Sequence, residues 1–264
     1  MATRSLTGPD AASRESARLL ALLDAVDPTP ESAALRARSF DLLAVGPGTR
    51  LVDVGCGGGL AVAEAARLGA EAAGVDADPR MVAAARQRWP GRTFTVGDAC
   101  ALPFTDGSLT AYRADKVHHE LPDPAAAAPE AHRVLAPGER IVLLGQDWDA
   151  LIVDADDAEP ALTLARARAA RIPHPRVARR SRNLLLDAGF REVRVEVRTG
   201  VFTDGTALRM LAGLAAALPR ADPGTGTSTG TGPDVERWLA EQRHRAAEGR
   251  AFVAVPIVLA TGLR

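Results

Sequence analysis

The chain has 264 residues, 32 of them basic against 33 acidic, for a formal charge of −1. Hydrophobic residues at 47% and charged ones at 25% supply enough apolar surface for a core, which excludes a chain disordered as a whole. That charge balance also argues against neutralising a nucleic-acid backbone, and the lack of any 18-residue apolar run argues against a membrane span. Only Cys56 and Cys100 are available for disulfides, and the opening MATRSLTGPDAASRES has no apolar signal segment, so the expected compartment is the reducing cytoplasm.

Residues 11–26 and 31–43 carry amphipathic helical patterns, parted at Asp27-Pro28-Thr29-Pro30. From residue 50 onward, strand-like and helix-like blocks alternate, the pattern of β-α-β units around a largely parallel sheet. Seven strands are predicted, at 50–54, 72–76, 93–96, 109–114, 140–145, 192–202 and 251–260. Helices are predicted at 60–68, 79–89, 125–135, 159–171 and 179–188, the last closed by Gly189. Between the last two strands an insertion reads as helix 206–218, a Gly/Ser/Thr-rich stretch 223–233 and helix 234–248. The stretch offers no apolar anchor, so a mobile, dispensable loop is expected there. The organisation expected is lid helices over 1–45, a cofactor-binding core over 46–204, a helical cap over 205–250 and the core's final strand over 251–264.

The sharpest motif is Leu51-Val52-Asp53-Val54-Gly55-Cys56-Gly57-Gly58-Gly59, an apolar strand running into a glycine loop and then a helix. Glycines permit positive φ and let the backbone approach a ligand, with helix N–H groups aimed at it. A dinucleotide fingerprint would need glycine at Leu60, and the acidic-x-Gly-x-Gly pattern favours S-adenosylmethionine over NAD or FAD. Asp76 ends the next strand at the spacing expected of a ribose-binding carboxylate, with Ala77 beside it; Asp78, before Pro79, is the better helix cap. Met81 suits either an adenine contact or the core.

Gly97-Asp98-Ala99-Cys100-Ala101-Leu102-Pro103-Phe104 follows the third strand, and Arg133-Val134-Leu135-Ala136-Pro137-Gly138 precedes the fifth. With the glycine loop and Asp76, this order resembles a class I S-adenosylmethionine-dependent methyltransferase of the ubiquinone/menaquinone-methyltransferase-like group, over residues 31–143. The resemblance implies a Rossmann-like seven-stranded sheet, six strands parallel and the last reversed, under a helical lid. It implies that Asp98 accepts from the adenine amino group and the Ala99 amide reaches a ring nitrogen. Gly55 and Gly57 would face the methionine and ribose portions, with Asp53 orienting the loop. The chain departs from that pattern at Gly58, often threonine, and Glu139, often glycine.

The fourth strand leads into Arg113-Ala114-Asp115-Lys116-Val117-His118-His119-Glu120 at the carboxyl edge of the sheet, where open α/β folds bind ligands. In the resembled family this loop borders the transferred methyl group. His118 or His119 is the candidate base, and Lys116, the chain's only lysine, a candidate for orienting an anion. The alternative open for the pair is that one histidine caps the next helix and the other touches the cofactor. Three consecutive residues cannot converge on one ion, so no metal site is read. Trp148 is a candidate pocket wall or a packing residue, and the arginine-rich stretch 166–182 reads as a solvated face.

The function expected is methyl transfer to a small-molecule acceptor, in specialised metabolism, with no nucleic-acid or membrane partner and no oligomeric state assigned. The alternatives are a different reaction on the same fold, such as cyclisation or elimination, and a catalytically silent binding subunit.

Overall fold

The computed structural model describes residues 9–216 and 233–264. Two helices come first, α1 (Pro9–Val26) and α2 (Pro30–Leu43). The chain turns between them where the prolines end one helix and start the next: Thr29 accepts from the Ser32 N–H at 3.3 Å and Pro30 takes the first helical position. There follow β1 (Arg50–Val54), α3 (Leu60–Arg67), β2 (Glu71–Asp76), α4 (Pro79–Arg88), β3 (Thr93–Val96), β4 (Leu109–Asp115), α5 (Pro124–Val134) and β5 (Leu135–Gln146). Then come β6 (Ile152–Val153), α6 (Glu159–Ala169), α7 (Val177–Asp187), β7 (Arg191–Phe202), α8 (Gly205–Ala216), α9 (Pro233–Ala247) and β8 (Val253–Leu263). α7 closes as expected on Gly189, at φ 92°, with the Phe190 N–H returned to the Leu185 carbonyl at 3.0 Å.

The strands form one sheet in the order β3-β2-β1-β4-β5-β8-β6, with β7 also on β8. β5 pairs with β8 from Arg140–Leu263 to Gln146–Ile257, and β6 pairs with Val253 and Ala254, so β6 continues the β5 edge while β7 holds the other. Every pairing of β8 is antiparallel and the rest are parallel, which gives the single reversed strand expected. The sheet has eight strands rather than seven. The two-residue β6 is too short to show an alternating pattern. β5 also starts at Leu135, not Arg140, because its register with β4 shifts between Leu109 and Ala111 and the Pro137-Gly138 turn is absorbed into the strand.

Strand alternation fixes which helices lie where. Leu51, Ala111, Val142 and Leu144 face one side and share a core with Phe40 and Leu43 of α2, Leu164 of α6, Leu211 of α8 and Trp238 of α9. Val52, Val54, Tyr112, Ile141 and Leu143 face the other, against Ala127 and Ala131 of α5 and Leu185 of α7. Sheet strands buried on both faces read as near-continuous apolar runs, which is why β1 and β5 stood out in the sequence. The stretch expected to be a mobile loop, 223–233, lies outside the described residues except for Pro233 at the start of α9.

Candidate active site

β1 ends at Val54 and hands the chain to a loop whose Gly55, Gly57 and Gly59 take φ values of 67°, 50° and 82°. A Cβ on Gly55 would stand 2.2 Å from Val117 Cγ2, and one on Gly59 2.6 Å from Phe94 Cζ. Both positions therefore exclude side chains twice over, by backbone conformation and by space. Gly55→Ala is expected to cost roughly 1–3 kcal/mol in strain and to displace Val117. Thermal melts together with cofactor titration check this, and a parental result in both would show that the approach is not tight.

Asp76 sits between this loop and the start of α4. Its Oδ2 accepts from the Gly57 N–H and its Oδ1 from the Asp78 N–H, both at 2.9 Å. Burial raises its pKa against those two donors. Asp78 caps α4 by accepting from the Arg80 N–H at 2.9 Å, which leaves Asp76 free of the capping role. Asp98 is exposed at the end of β3 and accepts from the Cys100 N–H at 2.9 Å; Ala99 beside it is buried and Ala77 exposed. Met81 lies on the inner row of α4 with 2% of its surface exposed, so in this arrangement it is a packing residue.

α1 lies across the cradle. Leu23 Cδ1 is 3.0 Å and Leu20 Cδ2 3.7 Å from where Cβ atoms on Gly57 and Gly58 would stand. The Ser16 hydroxyl donates to the Asp78 carboxylate, and Arg88 clasps Asp24 at 2.8 and 2.9 Å. No motif in the sequence marked these contacts; the only signal was the apolar spacing of Leu19, Leu20, Leu22 and Leu23.

Asp53 is buried directly across the β1–β4 register from Arg113, whose guanidinium donates to its Oδ1 at 2.7 Å, to Asp115 Oδ2 at 2.8 Å and to the Ser39 hydroxyl at 2.9 Å. Burial opposes the charge on Arg113, yet the pull of Asp53 and then Asp115 outweighs it and raises the pKa. Asp115 loses solvation as well, but Lys116 and Arg113 hold its pKa down at about 2. Asp53 has its pKa raised by burial, with Arg113 opposing. An arginine inside the otherwise largely apolar 109–114 run is the sequence signal for this cluster.

Lys116 leaves β4 with φ 60°, a left-handed backbone that a lysine adopts only under constraint, and its ammonium reaches Asp115 at 2.9 Å. Val117 then packs onto Gly55, so the candidate catalytic loop and the glycine loop touch. His118 and His119 follow, both buried. Burial, with the neighbouring His119, takes the His118 pKa down to about 4; burial, with Arg168 and Lys116, does the same to His119, also to about 4. His119 meets the edge of Trp148, ring centroids 5.5 Å apart, and its Nε2 lies 3.3 Å from Glu120. The Trp148 Nε1–H and Asp149 Oδ1 are buried without hydrogen-bond partners among the described residues.

The structure brings His119 against Trp148 and buries His118 as deeply as His119, while Lys116 turns to Asp115. It corrects one expectation: the arginine-rich stretch is not simply solvated. Arg168 stacks 4.7 Å over Trp148, Arg176 pairs with Asp149, and Arg179 holds Asp147 through two contacts. Two open clefts, of about 360 and 400 Å³, flank α2 on its β7 and α3 sides. Neither is lined by the glycine loop or by residues 116–120, and the convergent polar groups, not the clefts, mark the site.

Residues 52–143 match the family model described as a methyltransferase domain. An uncharacterised 37.1 kDa protein of a Streptomyces fradiae transposon is 35% identical over 244 residues, covering 89% of this chain and 68% of that one. A demethylmenaquinone methyltransferase from Beutenbergia cavernae is 34% identical over 108 residues, 41% of this chain and 45% of its own length. Among solved structures, an S-adenosylmethionine-dependent methyltransferase from Mesorhizobium loti superposes with a TM-score of 0.54 at 23% identity, covering 90% of this chain and 99% of that one.

Proposed function

Because the chain belongs to the S-adenosylmethionine-dependent methyltransferases, we propose that it methylates a small-molecule acceptor held between residues 116–120 and the Gln146–Asp149 segment, as part of specialised metabolism. The observation that supports this reading is the contact of Val117 with Gly55, two residues before His119, which in turn meets Trp148.

The residues fit the cofactor. A loop with no room for a Cβ at Gly55 or Gly59, a half-buried carboxylate at Asp76 and an exposed one at Asp98 match a ligand with a ribose and an amino-bearing base. In this reading Gly55, Gly57, Asp76, Ala77, Asp98 and Ala99 bind it, and Asp53 supports the loop through Arg113. When bound, S-adenosylmethionine supplies an electrophilic methyl carbon on its sulfonium. The chain's own work is then to align the acceptor, exclude water and take a proton where the acceptor carries one. Trp148 packs between Arg168 and His119 and would wall the acceptor site, and neutral His119 offers a proton acceptor.

Incubation with candidate acceptors and mass spectrometry tests the reaction. A gain of one CH₂ with one S-adenosylhomocysteine released per turnover is expected; turnover without cofactor consumption, or binding with no turnover, would mean a repurposed fold or a silent subunit. The cofactor assignment has its own check. Asp76→Ala is expected to weaken S-adenosylmethionine by about 2–4 kcal/mol, the worth of two hydrogen bonds to a charged acceptor. Unchanged affinity by calorimetry would remove Asp76 from the site.

A further inference from the structure

β7 is the outer strand of the sheet at its β8 end, and among the described residues it pairs with β8 alone. Such an edge presents a row of backbone donors and acceptors to any strand that can match it. Proteins blunt long edges with charge, prolines or bulges; here the one bulge lies at the very start, between Arg191 and Arg194, and regular pairing with β8 runs on to Phe202. Side chains alternate along it. Val195, Val197 and Val201 stand on one face with 44%, 59% and 41% of their surface exposed, and Arg194, Glu196 and Arg198 stand on the other.

The pattern suits a second copy of itself. In an antiparallel pair related by a two-fold axis normal to the sheet, facing residues share a sheet face, so the axis must pass beside one residue that meets its own copy. Centring on Arg194, Glu196 or Arg198 opposes like charges. Centring on Val197 opposes Glu196 to Arg198 twice, Val193 to Val201 twice, Val195 to Thr199 twice and Val197 to itself, with Arg194 falling on Gly200. No like-charge pair arises, every exposed valine meets an apolar side chain or threonine, and only the two outermost Val193–Val201 pairs reach the bulge. Arg38 of α2 clasps Glu196 at 2.8 and 2.9 Å and fixes its carboxylate on that face.

We propose that β7 is a homodimer interface, in which two chains join their sheets by antiparallel pairing centred on Val197. The contact is isologous and closes on itself, so assembly stops at two. The candidate active site lies at the β4 and β5 edge and takes no residue from this contact.

Sedimentation equilibrium of the wild-type chain, from micromolar to near-millimolar concentration, should give a species of twice 27.6 kDa. Val197→Asp, at the most exposed position, should weaken dimerisation at least tenfold by setting two carboxylates face to face, with the monomer's melting temperature kept. Val197→Cys should form a disulfide between two copies under mild oxidation, since directly opposed residues fall within disulfide reach. Val195→Cys should not, because its partner is Thr199. A wild-type chain that stays monomeric throughout overturns the proposal, as does a dimer indifferent to Val197→Asp. Cross-linking through Val195→Cys but not Val197→Cys overturns the register.

Discussion

Arg113→Met is expected to lower stability by about 3–5 kcal/mol, the cost of removing one partner from a buried ion pair. At ~2–4 °C per kcal/mol for a chain of this size, the melting temperature should fall by roughly 6–20 °C. Methionine keeps most of the volume, so the loss is electrostatic rather than a cavity. Arg113 serves three partners at once, Asp53, Asp115 and the Ser39 hydroxyl of α2, and each loses a charged donor. Asp115 keeps Lys116, but Asp53 keeps nothing of opposite charge that the structure records. Burial already raises the Asp53 pKa with Arg113 present, and without it the rise must be larger.

That rise sets the sign of the pH dependence. A carboxyl whose folded pKa exceeds its unfolded value of about 3.9 binds more protons folded than unfolded in the window between the two, so stability falls as pH rises through it. The deficit of the variant should therefore be smallest at acid pH and grow toward neutrality. Urea titrations across this range check it. A deficit under about 1 kcal/mol, within the ordinary run of substitutions, or one that is flat with pH would mean Arg113 does not neutralise Asp53.

Much of the core was legible because the chemistry of a parallel sheet writes itself into the chain. β1 is an apolar run closed by Gly55, and Asp78-Pro79 and Gly189 mark helix ends by backbone rules that need no tertiary partner. Spacing alone singled out Asp76, because a strand, a glycine loop and a helix have fixed lengths. What stayed hidden was long-range. The Asp53–Arg113 pair spans 60 residues and depends on which strands are neighbours, which local pattern does not encode. Likewise the arginines of 166–182 look like a solvated face until α6 and α7 are laid against the segment after β5, where they meet Trp148, Asp147 and Asp149. The cover of α1 over Gly57 and Gly58 is a packing outcome of two leucines and has no motif at all.

His119→Ala is expected to cost roughly 10² to 10⁴ in turnover while leaving cofactor affinity intact, if this imidazole takes the acceptor's proton. His118→Ala should cost less rate, since it is His119 that meets Trp148 and Glu120. Burial, reinforced by Arg168 and Lys116, sets the His119 pKa at about 4, so the ring is neutral at physiological pH and able to accept a proton. The acid limb of kcat/KM should then fall near pH 4, well below the ordinary imidazole value of about 6.5. A base this weak removes a proton only as the methyl arrives, which ties its contribution to alignment against Trp148. The same depression appears in stability. Below about pH 6.5 the unfolded chain binds protons that the folded one refuses, so stability falls with pH down to about 4 and then levels off, and each alanine variant should flatten that slope. If His119→Ala keeps full turnover on the acceptor from pH 6 to 9 while the stability slope flattens as expected, the histidine is buried and neutral but not a base. The enzyme would then work by alignment on a nucleophile that arrives already deprotonated.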